Sequence, residues 1–127
     1  MTENELATQV VDAAYKVHTT LGPDLLESVY EAVMAEELIR RGLRVVRQQA
    51  IPVVYEGVHL EVGFRADLIV EGKVIVEIKS VEAVAPVHKK QLLTYLRLAD
   101  KRLGILINFD VELIKDGIAR VVNQLKE

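Results

Sequence analysis

Apolar residues recur every three or four positions at the start of this chain and become nearly continuous in its middle, and the change of period separates helical from extended segments. From Glu3 to Leu21 the apolar face is Leu6, Val10, Ala14, Val17 and Leu21, which predicts a first amphipathic helix closed by Gly22-Pro23. A second face, Leu26, Val29, Tyr30, Val33, Met34 and Leu38, predicts a helix from about Leu25 to Arg41. Asp24, with Glu27 three residues later, reads as its capping box. Gly42 reads as its stop, and Arg40 and Arg41 suit the negative end of the helix dipole.

Residues 43 to 80 are rich in Val, Ile, Leu, Tyr and Phe, broken by Glu56-Gly57 and Glu71-Gly72. Those pairs are turn signals, so the segment reads as three antiparallel strands in a meander. Pro52 belongs at an edge or bulge of the first, because proline has no N–H to give to a ladder. Pro86 opens a third helix reaching about Ala99, and Leu103 to Phe109 is a continuous apolar run of buried-strand type. Asp116-Gly117 marks a last turn before Ile118 to Val122, which fits a short strand or a short helix. The order is that of an α/β protein: two N-terminal helices, a three-stranded antiparallel meander, a helix and a further strand. At 127 residues it is the size of one domain, taken as residues 1–127.

Composition narrows the classes of function. With no cysteine, a disulfide framework and a thiolate metal site are both excluded. MTENELATQ lacks the basic-then-apolar layout of a signal peptide, and the apolar runs are far shorter than the roughly 20 residues that cross a bilayer. A soluble, cytoplasmic protein without a membrane partner is the expectation. The net charge of −3 argues against a protein that coats DNA through dense phosphate contacts. Charge is nevertheless uneven. Residues 1 to 37 carry eight acids against Lys16 alone, residues 38 to 47 carry Arg40, Arg41, Arg44 and Arg47 with no acid, and residues 86 to 109 carry five bases against Asp100. Two basic patches on an acidic body can grip a phosphate backbone, or they are ordinary solvated faces.

Charged residues also interrupt the apolar strands. In RADLIVEGKVIVEIKSV these are Asp67, Glu77 and Lys79. Two carboxylates held close together suit a hard cation such as Mg²⁺ or Mn²⁺, which takes oxygen ligands and leaves positions for water and phosphate. A neighbouring lysine can stabilise charge on the phosphate or orient the attacking water, whose pKa the metal lowers. Glu77 and Lys79 share a face by strand alternation, and Asp67 joins them only if the hairpin loop has an odd number of residues. Val70-Glu71-Gly72, with Gly72 left-handed, meets that condition. Such spacing also arises by chance on a solvated sheet face. Gln91 and Tyr95 lie one turn apart on the third helix, on one of its faces. His18, His59 and His88 have no metal-ligand spacing and read as structural or surface residues. Arg65 fits a phosphate contact or a surface ion pair equally well. No phosphate-binding glycine loop or nucleophile elbow is present.

Five segments together, LLESVYEAV, FRADLIVE, VIVEIKSV, the Gln-x-x-x-Tyr of QLLTY, and LGILINF, resemble the GxxExxY family, a branch of the PD-(D/E)XK nuclease superfamily, over nearly the whole chain. The resemblance implies a restriction-endonuclease-like core with Asp67 and Glu77 as metal ligands and Lys79 as the catalytic lysine. It implies Glu27 as the helical acid, and Gln91 and Tyr95 as the substrate-positioning motif shared with recombination-type exonucleases. The family's first glycine falls at position 24, where this chain has Asp24. If Asp24 caps the second helix, Glu27 is drawn into capping, and Glu31 one turn later is the substitute acid. The function implied is a Mg²⁺- or Mn²⁺-dependent nuclease hydrolysing phosphodiester bonds of DNA or RNA. The alternative is a catalytically inactive nuclease-fold module that binds nucleic acid or a protein partner, with a homodimer as one way to widen the groove.

Overall fold

The computed structural model describes residues 1–126. Helix α1 (Glu3–Leu21) begins on a capping box in which Thr2 Oγ1 accepts from Glu5 N and Glu5 Oε1 accepts from Thr2 N, at 3.2 and 2.9 Å. It ends at Gly22, whose φ of 69° is the left-handed region that glycine enters without strain.

Helix α2 (Glu27–Arg40) starts later than its sequence signal suggests. Its N-cap is Leu26, with no side-chain capping bond, so Asp24 is not the cap and Glu27 is not the third residue of a capping box. Tyr30 is the physical reason. Its hydroxyl donates to the Gly22 carbonyl and accepts from Leu25 N at 3.3 Å, which folds residues 22 to 25 back over the first turn. Asp24 sits inside that fold with φ 72°, where a glycine would be relaxed. The Tyr30 ring is fully buried and stacks on Phe109 with centroids 4.3 Å apart.

Residues 43 to 80 form five strands rather than three. These are β1 (Val45–Ala50), β2 (Val53–Tyr55), β3 (Val58–Leu60), β4 (Arg65–Val70) and β5 (Val74–Lys79). The expected meander survives as the antiparallel set β1-β4-β5, while β2 and β3 pair with each other as a separate ribbon inserted between β1 and β4. Pro52 falls in the break after β1, where a missing N–H costs no ladder bond. The hairpin loop between β4 and β5 is Glu71-Gly72-Lys73, one residue further on than expected, and Lys73 N closes it onto Val70 O at 3.0 Å.

Helix α3 (Pro86–Leu98) carries the chain from β5 to β6 (Leu103–Asn108), which pairs with β5 in parallel. A 3₁₀ turn at Ile114–Gly117 then leads into β7 (Ile118–Val122), so the last segment is a strand. The main sheet has the order β1-β4-β5-β6-β7. Helices α1 and α2 pack on one face against Leu68, Val76, Ile78, Ile105 and Ile107; α3 packs on the other against Ile69, Ile75 and Leu106. Gly104 allows α3 its close approach, since a Cβ there would lie 2.8 Å from the Leu92 side chain. The result is the mixed α/β architecture of a restriction-endonuclease-like fold.

Candidate active site

Strand alternation decides which side of the sheet the acids occupy. Ile69 and Ile75 pair across the β4–β5 hairpin and face α3, so the odd-numbered Asp67, Glu77 and Lys79 belong to that side as well. The ladder runs Val70↔Val74, Ile69↔Ile75 and Leu68↔Val76, and the next position in this register sets Asp67 against Glu77. Here the two strands separate. The Ile78 amide, instead of meeting a β4 carbonyl, donates to Asp67 Oδ2 at 2.7 Å. A carboxylate taking a strand amide at the point of divergence is held firmly and aimed between the strands.

Glu77 is 7% exposed, and its Oε1 is buried without a hydrogen-bond partner. Its carboxyl is pushed up to about 9, first by burial, then by the hydrogen bond and charge of Asp67, with the Lys79 ammonium opposing. Lys79 is half-buried beside it. The two carboxyls and the buried, unpartnered oxygen are a donor set of the kind a hard divalent cation takes up, with its remaining positions left to water. No cluster of three or more His, Asp or Glu suited to a metal occurs among the described residues, so the pair would be the protein's share of such a site.

Tyr95 reaches the same place from α3. It is buried, and its hydroxyl is pushed up by burial first and then by the charges of Glu77 and Asp67. Gln91 is exposed one helical turn earlier. Arg65 is exposed at the start of β4 and donates to the Gln48 carbonyl at 3.3 Å.

The helical acids divide. Glu27, at the first position of α2, accepts from Ser80 N at 3.2 Å, and Ser80 Oγ donates to Leu25 O at 2.6 Å. It ties α2 to the residue after Lys79. Glu31, buried one turn later, accepts from Arg47 Nε and Nη2 at 3.2 and 3.0 Å. Its other oxygen accepts from the Gln48 side-chain amide, which also donates to Asp67 Oδ1 at 3.3 Å. The hydrogen-bonded chain into the acid pair therefore starts from Glu31, not from Glu27.

Ion pairing also revises the first basic patch. Arg40 pairs with Glu36, Arg41 with Glu37, Arg44 with Glu71 and Arg47 with Glu31. In the second patch Arg102 pairs with Asp100, and Lys101 donates to Gly72 O. Lys89 and Lys90 remain exposed on α3 beside Gln91. Of the histidines, His18 bonds to Val111 O at 2.7 Å and His88 accepts from Ala85 N at the start of α3, both structural, while His59 is exposed on the ribbon.

Two further residues, Gln48 and Asn108, shape this region from outside the motifs. Gln48 looks like any polar strand residue. Asn108 could have been noticed as the lone polar side chain in LGILINF; 2% exposed, it accepts from Val81 N and donates to Val81 O, at 3.1 and 2.9 Å, fixing the segment just beyond Lys79.

A buried Glu77 with half-buried Asp67 and Lys79, at the point where two strands of a helix-flanked sheet diverge, defines a nuclease-like class of α/β protein. The chain belongs to the PD-(D/E)XK nuclease superfamily, whose family model matches residues 4–121. Members of that superfamily generally use divalent metal ions. No curated protein and no solved structure matches the chain.

Proposed function

We propose that residues 1–127 form one nuclease domain of the GxxExxY branch, which hydrolyses phosphodiester bonds in nucleic acid with Mg²⁺ or Mn²⁺. The observation that carries this reading is the apposition of Asp67 and Glu77, with a buried Glu77 oxygen that no protein group satisfies. A buried carboxyl oxygen without a partner costs stability, and such a cost is consistent with a site kept for a ligand.

The branch assignment draws on the loop before α2. At position 24, where the family motif has glycine, the backbone is left-handed, and Glu27 and Tyr30 each bind backbone that shapes the approach to Lys79. Asp24 keeps the conformation although it is not glycine.

Asp67 and Glu77 would hold the cation. When bound, it supplies Lewis acidity to the phosphate and lowers the pKa of water. Lys79 lies on the same side of β5 as Glu77, where its ammonium could orient the attacking water and balance charge on the phosphoryl oxygens. Ser80, Asn108 and Glu27 hold the backbone on which Lys79 stands. Gln91 and Tyr95 would position the strand, with Lys89 and Lys90 supplying positive charge along α3.

A second reading, an inactive module that binds a protein partner, draws on the ribbon. By pairing and alternation, Val53, Tyr55, Val58 and Leu60 share one of its faces, and Tyr55 is 64% exposed. A cleavage screen over single-stranded, duplex and branched DNA and RNA, with Mg²⁺ or Mn²⁺ and Lys79→Ala as the contamination control, separates the two. Metal-dependent cutting lost in Lys79→Ala is the expected result; none on any substrate leaves the inactive module.

A further inference from the structure

We infer that Gln48 is a positioning residue for the metal-binding carboxylate Asp67, an inference that rests on the proposed metal site. Gln48 lies in β1 opposite Asp67, and it is the one position at which the β1–β4 ladder skips: Arg47 pairs with Leu68 and Gln49 with Ala66, while Gln48 has no partner in the register. Its φ is 52°, in the left-handed region, unusual for a glutamine inside a strand.

The distortion has a visible consequence. A regular strand residue at this position would keep its side chain on one side of the sheet, yet the Gln48 amide reaches both Glu31, from α2, and Asp67. Both neighbours are carboxylates, which only accept, so the side-chain nitrogen and not its oxygen must face them. Its two N–H bonds are divided between them, one to Glu31 Oε1 and one to Asp67 Oδ1. Glu31 is itself fixed by two bonds from Arg47. With Ile78 N on Oδ2, each Asp67 oxygen then has a donor, and the plane of the carboxylate is set before any ligand arrives. A glutamate at position 48 would bring a third carboxylate between two others and could not replace it.

Outer partners that orient a ligating carboxylate commonly affect metal affinity by about 10–100-fold. Gln48→Gly removes the amide but suits the observed φ, whereas Gln48→Ala removes the amide and leaves the strain. The two variants therefore separate a backbone effect from a side-chain effect. Calorimetric titration of the full chain with MnCl₂, alongside thermal melting, should show affinity lowered about 10-fold or more in both variants, with Gln48→Gly melting above Gln48→Ala. Wild-type affinity in Gln48→Gly and Gln48→Ala, with affinity lost in Asp67→Asn, would overturn the role of Gln48 and leave the metal site standing. Wild type and Asp67→Asn giving the same titration would instead remove the metal site, and the role of Gln48 with it.

Discussion

Asp67 and Glu77 face each other at the position where β4 and β5 stop pairing, and Asp67 takes the Ile78 amide that the missing ladder bond would have used. The pair is thus built by interrupting a sheet, not by decorating one. Two acids at this spacing in an unbroken central hairpin would repel each other to no advantage. Placed at the divergence, the two acids converge where a cation or a proton would relieve their repulsion.

Without metal, burial and the neighbouring Asp67 favour a proton on Glu77. In the ordinary carboxylate range and below, Glu77 is protonated in the folded chain and increasingly so in the unfolded one. Between that range and about 9 only the folded chain holds the proton, so stability falls as pH rises. The contribution is about 1.4 kcal/mol per pH unit, and between pH 6 and 8 it is on the order of 2–3 kcal/mol. Glu77→Gln should remove this slope and exceed wild type in stability at pH 8. Urea denaturation at the two pH values measures it, and equal slopes in both proteins would mean that Glu77 is ionised in the fold.

Metal should bind weakly to the free protein, because two carboxylates leave most of its positions to water and substrate. Binding should release a proton from Glu77, so apparent affinity rises with pH up to about 9. Mn²⁺ titrations in buffers of different ionisation enthalpy report the proton directly. A titration of Asp67→Asn indistinguishable from wild type would rule this pair out as the metal site.

Much of this was legible in the chain, for identifiable reasons. The helices follow from their periodicity, and α1 ends and α3 begins at the expected residues because Gly22 and Pro86 punctuate them. The shared face of Asp67, Glu77 and Lys79 follows from loop parity, which survives a one-residue error in the loop's placement. The ribbon was not legible, since Glu56-Gly57 signals a turn without saying which strands it joins. Asp24 misled for a different reason: a cap residue followed by glutamate is a local signal, and the Tyr30 hydroxyl overrides it from within the fold. The arginine run proves to be ion-paired because Glu36 and Glu37 lie one turn earlier on the same helix, just outside the acid-free run, while Glu31 and Glu71 reach it from distant parts of the sequence.

Tyr30 therefore makes a test of the entry to α2. Tyr30→Phe keeps the stack on Phe109 but removes the hydroxyl shared by Gly22 and Leu25. The expected loss is about 1–2 kcal/mol, from buried backbone groups left unsatisfied. Hydrogen exchange should speed up at the Leu25 amide, and unchanged stability and exchange together would show that the clasp holds nothing.

Charge along α3 should govern affinity for nucleic acid. Arg44 pairs with Glu71 at the hairpin end of the sheet, away from Asp67 and Lys79, so Arg44→Ala should leave binding near wild type. The double variant Lys89→Ala, Lys90→Ala should weaken binding of every sequence and reduce the salt slope by about 1 for each phosphate no longer neutralised. A salt titration of binding in the three proteins decides between the two patches. The opposite ranking would move the substrate path to the β1 side.

Lys79 separates catalysis from binding. In an enzyme its ammonium acts where charge develops in the transition state, and so its removal should lower the rate far more than the affinity. Removing one such interaction commonly costs about 10²-fold or more in rate. Lys79→Ala should therefore abolish detectable cleavage with binding largely retained, while Glu77→Ala should lose cleavage and Mn²⁺ binding together. The two variants fail differently because Glu77 would hold the cation and Lys79 would act on water and phosphate beside it. Authenticated cleavage that survives in both would place the chemistry elsewhere on the molecule. Cleavage absent in wild type, with Mn²⁺ still bound through Asp67, would instead describe a superfamily member that keeps its metal site and has lost its reaction.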